Sequence, residues 1–525
     1  MRPLIQEIQT AHTPESLVAQ LRDESGIVLL RSNLFDSPQA RYSFVAANPF
    51  LTFRSFGSSC EIASGSQLST LNSQLQFGNP WHILDALMAR FELLDEIDLP
   101  FPLGGCFGYW GYDLKNFTEP KLPRRAINDL ELPDCHVGFY DSLVVFDHRL
   151  VKVCIVSTGL NADGSRSEAR AQKQNEFWLA KLADGLTPTL TPALSLSERA
   201  RENSVPRRAN LKVTDLRKTQ EQFPPLLGER AGVRADVVSN ISKADFLTAV
   251  ECAQRYIRAG DIYQVNLSQR LTAQCRLSGW ELFEKLSAVS PAPFAAFLDC
   301  DDGSRHCRFQ IASSSPEQFL RLSGSHIQTR PIKGTRPRDA DPTRDAQLAY
   351  ELQTSAKELA ELVMITDLQR NDLGKVCEYG SVQVPELAKL EKFAQVQHLV
   401  STVEGRLRKG VTHFAAFASC FPGGSITGAP KFRAMEIIDE LEPISRGPYC
   451  GAIGYLGFNR ESQLSIAIRT ALCRDGLAHF SVGAGIVADS RPEAEYEETL
   501  AKSRGFFAAL KLDFLEPSLP PPASR

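Results

Sequence analysis

Between residues 242 and 260 the chain reads SKADFLTAVECAQRYIRAG, with Phe246, Val250, Ala253 and Ile257 recurring at the spacing of one helical face. Ser242 and Asp245 stand where a capping box would start that helix, and Gly260 stands where a left-handed residue would end it. The run DIYQVNLSQRLTA that follows predicts a strand. One helix is predicted through AQLAYELQTSAKELAELVMITDLQRNDLG, another through APKFRAMEIIDELE, and a last one through PEAEYEETLAKSRGFFAAL with Pro492 in its first turn. Between them YCGAIGYLGF, QLSIAIRTALC and LAHFSVGAGIV predict strands. The first 185 residues read as mixed strands and short helices, with SGIVLLRSN, GFYDSLVVFD and LVKVCIVST as apolar runs bounded by turn residues. PLGGCFGYWGYDL, rich in glycine and aromatic residues, predicts close backbone packing.

The pattern fails between residues 186 and 236. This stretch has one aromatic residue, Phe223, five prolines and no sustained period of a helix or strand. It predicts a low-complexity, disordered insertion with no catalytic role, because it offers little apolar surface to a core. The expected organisation is therefore an N-terminal region over 1–185, the insertion over 186–236, a catalytic region over 237–515 and a disordered tail over 516–525.

Bulk properties exclude some functions. Hydrophobic residues make up 43% and charged residues 23% of the 525, as in ordinary globular proteins. A formal charge of −4 argues against nucleic-acid binding and against an anionic membrane surface. MRPLIQEIQT has no apolar signal core, and the chain has no uninterrupted apolar run of about 18 residues. The expectation is a soluble cytoplasmic protein. The 12 cysteines run from Cys60 to Cys473 with no C-x-x-C pair, which predicts reduced, mostly buried thiols.

Candidate chemistry sits on the predicted helices and turns. Glu358 and Glu361 share one helix face, and Glu495, Glu498 and Lys502 share another. Each set on its own reads equally as a solvated face or as a site; two such helices meeting would supply oxygen ligands for Mg²⁺. SVGAGIVADS places Gly483 and Gly485 after a strand and before a helix, where backbone N–H groups can approach an anion. FPGGSITGAPK is no phosphate loop, since Gly428 is followed by Ala-Pro. His398, in QVQHLVS, reads as a packed core histidine. In TRPIKGTRPR a single lysine, Lys333, sits in what reads as a tight turn among three arginines. It is either a solvated loop lysine or an amine whose surroundings depress its pKa and make it nucleophilic.

Together these segments resemble the chorismate-utilising enzymes, the family of the large subunits of anthranilate synthase and aminodeoxychorismate synthase. IASSSPEQF, RPIKGTRPR, ELVMITDLQRNDLG, QHLVSTVEG, GGSITGAPK, AIRTAL, GAGIVADS and EAEYEET occur in family order, strongly over 242–513 and weakly over the first 185 residues. The resemblance implies an α+β fold, a β-sandwich of two large sheets flanked by helices. It implies Glu361 and Glu498 as Mg²⁺ ligands with Glu495 close by, and Glu358 as an acid near the metal. Arg469, Tyr449, the Gly483–Gly485 backbone and Lys502 are implied to hold the substrate carboxylates, and Ser425 and His398 to line the ring pocket. A dianionic substrate calls for such donors.

Two positions subdivide the family. Isochorismate and salicylate synthases carry a lysine at Gln264 as the base that activates water; a glutamine there favours ammonia as nucleophile. Anthranilate synthases read P-I-A-G-T where this chain has Lys333, and aminodeoxychorismate synthases read P-I-K-G-T. The resemblance thus implies amination at C4 of chorismate, toward para-aminobenzoate and folate, through a covalent adduct on Lys333 with Glu317 as general acid. Arg330, Arg336 and bound Mg²⁺ are expected to disfavour the protonated amine. The chain shows no glutaminase motif, so a separate glutamine amidotransferase subunit is expected to supply ammonia. LLRSNLFDSPQARYSF resembles a segment that binds tryptophan in relatives, which places a tryptophan site near Ser32; Arg31 departs from the acidic residue of feedback-regulated relatives, so no feedback inhibition is expected. The competing readings are anthranilate synthase component I, which Lys333 opposes, and a non-catalytic chorismate-binding regulator.

Overall fold

Strand-forming runs from both ends of the chain meet in the same sheets. The computed structural model describes residues 2–32, 41–64, 73–94, 99–183, 237–300, 309–393 and 396–512. The insertion expected at 186–236 and the tail expected at 516–525 lie outside the described residues. Two twelve-stranded antiparallel sheets form the framework. The first runs from Leu4–Ile8 through Lys152–Ser157, Ser142–Asp147, Tyr42–Ala46 and Val28–Arg31, and continues with Phe294–Asp299, Gln310–Ser315, Thr470–Arg474, Leu477–Ile486 and Gln264–Gln274. The second begins at Ile332–Pro337, passes through Val396–Arg406, His326–Thr329, Gln318–Ser323, Glu461–Ile466 and Ala452–Gly457, and crosses into Gly105–Trp110, Cys135–Tyr140 and Leu51–Phe56.

The sheets pack face to face, as the edge contact between the rings of Phe44 and Tyr455 at 5.1 Å shows. One apolar core fills the space between them, and a second, containing Trp178, Phe283, Phe480 and Phe506, lies between the first sheet and its helices. Glycine allows the closest approaches: Gly108 pairs with Gly454, and a Cβ on Gly108 would lie 2.2 Å from the carbonyl oxygen of His136. The close packing expected of PLGGCFGYWGYDL is present. The expected α+β sandwich is the observed fold.

The helices Lys243–Ala259, Lys431–Leu441 and Pro492–Leu510 lie where the apolar stripes place them. Ser242 caps the first by accepting from the N–H of Asp245, and Gly260 ends it at φ 83°. Three local readings need correction. The single helix expected across 346–374 is two, Pro342–Thr354 and Ala356–Gly374, because Ser355 is extended and its hydroxyl accepts from the N–H of Glu358. QLSIAIRTALC is not one strand but two, Glu461–Ile466 and Thr470–Arg474, one in each sheet, and Arg469 at the break has φ 50°. The stretch around Lys333 is no tight turn. It is the strand Ile332–Pro337 at the end of the second sheet, with a bulge between Lys333 and Thr335. No helix among the described residues is long and apolar enough to cross a membrane. The eleven cysteines among the described residues are all free, as expected.

Candidate active site

The ends of the two sheets bring four stretches together. Gln264–Gln274 pairs with Leu477–Ile486 in the first sheet, with Asn266 opposite Gly485 and Ser268 opposite Gly483. The bulged strand of Lys333 closes from the second sheet. A Cβ placed on Gly485 would lie 2.6 Å from Nε2 of Gln264 and 3.9 Å from Nζ of Lys333. A glycine at 485 therefore leaves the space into which the amide and the amine converge. A Cβ on Gly483 would lie 2.9 Å from the hydroxyl of Tyr449 and 3.2 Å from Nδ2 of Asn266.

Lys333 is no solvated lysine, since its side chain is only 17% exposed and stands 3.9 Å from the carboxylate of Glu361. Burial lowers its pKa from the ordinary lysine value; Glu361 opposes that shift and Lys502 reinforces it. The expected influence of Arg330 and Arg336 is not how the site works. Arg330 turns to Glu391 and Thr402, and Arg336 pairs with Glu358 at 3.5 Å. Gly334, at φ 68° in the bulge, lets the helices Pro342–Thr354 and Ala356–Gly374 both approach; a Cβ there would sit 2.6 Å from Leu352 of the first and 3.1 Å from the Glu358 carboxylate of the second.

Glu317 follows the strand Gln310–Ser315 and is 6% exposed. Burial pushes its carboxyl up to about 7, against the opposing effects of the Ser425 hydroxyl and Lys333. Ser425 donates to Oε1 of Glu317 at 2.6 Å. His398 lies below the bulge, its Nδ1 2.9 Å from the Thr335 hydroxyl, and burial and then Arg469 bring its pKa down to about 4. It is neutral at physiological pH.

The two carboxylate-bearing helices come within electrostatic reach of each other. Glu361 feels both Glu358 and Glu498, and burial is the main cause that raises its pKa. Lys357 as well as Lys333 stands 3.9 Å from its oxygens. Glu495 is buried and accepts from the Ser490 hydroxyl at 2.6 Å; burial raises its pKa, with Glu498 adding to the shift. Lys502 bridges the Glu498 carboxylate at 2.7 Å and the Gly483 carbonyl at 2.8 Å. Among the described residues no three His, Cys, Asp or Glu side chains cluster closely enough to form a complete metal site from protein groups. The Glu361–Glu498 pair suits a hard cation that takes one or two carboxylates and completes its shell with water or substrate oxygens.

On the anion side, burial lowers the pKa of the Arg469 guanidinium, which has no carboxylate partner among the described residues. A half-buried arginine without a carboxylate partner among the described residues is a ready site for a ligand carboxylate. Sequence reasoning missed what holds this wall. Arg446, with its side chain 2% exposed, pairs with Glu442 and donates to the carbonyls of Asn266 at 2.7 Å and Ile426 at 3.0 Å. Glu442 in turn accepts from the N–H of Ser268 at 2.8 Å. The pair ties the Gln264 strand to the Ser425 turn.

A family model described as chorismate binding enzyme matches residues 32–508. The chain belongs to the chorismate-binding enzyme family. Relatives within it include anthranilate synthase component 1 of Acetivibrio thermocellus, 37% identical over 95% of this chain and 93% of its own. Aminodeoxychorismate synthase component 1 of Escherichia coli (strain K12) is 38% identical over 90% and 91%. The crystal structure of anthranilate synthase component I from Streptococcus pneumoniae TIGR4 superposes with a TM-score of 0.69 at 29% identity, covering 90% of this chain and 93% of that one. The site therefore belongs to a chorismate-utilising enzyme.

Proposed function

We propose that this family member is the large component of an aminodeoxychorismate synthase, converting chorismate and ammonia into 4-amino-4-deoxychorismate for para-aminobenzoate and folate synthesis. Identity to the two kinds of relative is nearly equal and does not choose between them. Lys333 chooses. Its amine sits beside Gln264 and Gly485, and burial favours its neutral form. In an anthranilate synthase, where ammonia attacks C2 directly, this lysine would have no role.

Lys333 attacks C2 of the ring, the double bond shifts, and the C4 hydroxyl departs as water with the proton of Glu317. A carboxyl with a pKa of about 7 still holds that proton near neutrality, as a general acid must. Ammonia then attacks C4, the double bond shifts back, and the lysine leaves. Gln264 has no basic atom with which to activate water, which suits ammonia. Arg469, Tyr449, Lys502 and the Gly483–Gly485 backbone hold the carboxylates, while Ser425 and His398 line the ring. Glu361 and Glu498, with Glu495 and Glu358 beside them, would hold Mg²⁺, which supplies positive charge to a substrate carboxylate. The relatives are named as component 1 of their synthases, which supports a glutamine amidotransferase partner as the ammonia source. Ser32 lines a cleft between the sheets with Tyr42, Phe44, Pro293 and Tyr455, which suits tryptophan, while Arg31 is held by Glu15.

The test is product identification with chorismate, ammonium and Mg²⁺, with and without an aminodeoxychorismate lyase. Para-aminobenzoate that appears only with the lyase supports the proposal. Anthranilate as the main product refutes it.

A further inference from the structure

The motif around Ser425 points to the ring pocket, yet the structure aims its side chain at the acid. Its hydroxyl stands 2.6 Å from Oε1 of Glu317, and the two residues are 9% and 6% exposed. The hydroxyl has no other acceptor among the described residues, so its proton goes to Oε1. An oxygen that accepts in this way does not itself carry the acid proton, which leaves that proton to Oε2. Oε2 makes no hydrogen bond among the described residues. The titratable groups within electrostatic reach of this carboxyl, among the described residues, are Lys333 from the second sheet and the buried thiol of Cys450.

Fixed backbone presents the two residues to each other. In the Gly424–Ile426 turn, the Ile426 carbonyl accepts from Arg446 at 3.0 Å, and the Thr427 hydroxyl donates to the Gly423 carbonyl at 3.0 Å. Gly424 lies against the helix Ala356–Gly374, where a Cβ on it would sit 2.6 Å from Leu368. On the other side, the Glu317 carbonyl accepts from the N–H of Ile466 at 3.1 Å, and the Glu317 N–H donates to the Ser315 hydroxyl at 3.4 Å. Such support fixes which carboxyl oxygen meets the serine.

We propose that Ser425 is a positioning residue for the general acid: by occupying Oε1 of Glu317 it directs the acid proton to Oε2 and then stabilises the carboxylate that forms. This rests on Glu317 being the acid of the proposed reaction. As the Lys333 amine bonds to C2 and the C4–O bond breaks, the Oε2–H bond breaks with them. Its proton leaves on the departing water, and its electron pair stays on a carboxylate that Ser425 still holds. The hydrogen bond favours the ionised form against burial, so losing it raises the pKa of the acid.

The experiment is steady-state kinetics with chorismate, ammonium and Mg²⁺ between about pH 5.5 and about pH 9.5, for wild type, Glu317→Gln, Ser425→Ala and Ser425→Thr. The residual activity of Glu317→Gln should lack the alkaline limb of kcat that belongs to the acid. Ser425→Ala should lower kcat by about tenfold, the worth of one hydrogen bond to a charged group, and move that limb to higher pH by about one pH unit. Ser425→Thr keeps the hydroxyl and should return the limb to its wild-type position. A side chain that only lines the ring would change KM and leave the limb in place, and that result for Ser425→Ala overturns the proposal. A limb that stays at the alanine position in a Ser425→Thr protein that melts like wild type overturns it as well. Glu317→Gln with wild-type turnover and an unchanged limb overturns instead the reading of Glu317 as the acid.

Discussion

Glu317→Gln separates the chemistry of the site from its stability. In the folded protein the carboxyl is buried and its pKa stands at about 7, against 4.5 for a free glutamate side chain. The unfolded chain therefore ionises this group first. The stability it lends is fully present below about pH 4.5 and is lost as pH rises through about 7. A displacement of this size corresponds to roughly 3 kcal/mol at the alkaline end, since each unit is worth about 1.4 kcal/mol. Glutamine is isosteric and does not titrate. Measured by urea unfolding at about pH 4 and about pH 8.5, the stability of Glu317→Gln relative to wild type should improve by roughly 3 kcal/mol between the two. Lys333 is coupled to Glu317, so the same pair of proteins is compared in a Lys333→Met background. The variant should meanwhile lose about 10²-fold or more in turnover, as expected when a general acid is removed. A stability difference that stays flat across this range would show that Glu317 is ionised at neutral pH, and the general-acid role would go with it.

Three further outcomes are expected. Gly485→Ala would put a methyl group 2.6 Å from the Gln264 amide, the movable end of a side chain, so the protein should fold with a near-normal melting temperature while turnover collapses; normal activity would show that the amine and amide need no such space. Glu361→Ala and Glu498→Ala should each abolish Mg²⁺-dependent turnover without unfolding the protein, and full activity of either in EDTA-treated buffer would remove both from the metal site. Ser355→Ala should cost about 1 kcal/mol in chemical denaturation through loss of the cap on the Glu358–Glu361 helix, and an unchanged midpoint would show that the cap contributes nothing.

Periodicity served well where an element buries one face. The stripe from Phe246 to Ile257 and the Pro492 start each marked a helix that the fold keeps. It failed where one residue redirects the chain. Ser355 was legible in principle, since S-A-K-E is a helix-start signature, but it was embedded in a longer apolar pattern that continues on both sides. Pro331, Gly334 and Pro337 suggested a turn; in an end strand, prolines are tolerated and a glycine makes the bulge. The Gln264 strand carried a signal of its own: Gln264, Asn266 and Ser268 alternate with Val265 and Leu267, which reads as a polar face. The fold instead buries both faces, as the exposures of 1% for Gln264 and 2% for Leu267 show. Arg446 and Glu442 gave no local sign, because their partners lie on the Gln264 strand some 180 residues away.

The central claim is that Lys333 is a nucleophile. Intact-protein mass spectrometry, after mixing with chorismate and Mg²⁺ but no ammonia, tests it most directly. Wild type should gain the mass of chorismate less one water, and Lys333→Ala should gain nothing and lose the para product. Lys333→Arg should not rescue, because a guanidinium stays protonated. Wild type with no adduct under any trapping condition, together with Lys333→Ala making 4-amino-4-deoxychorismate at the normal rate, would contradict the account.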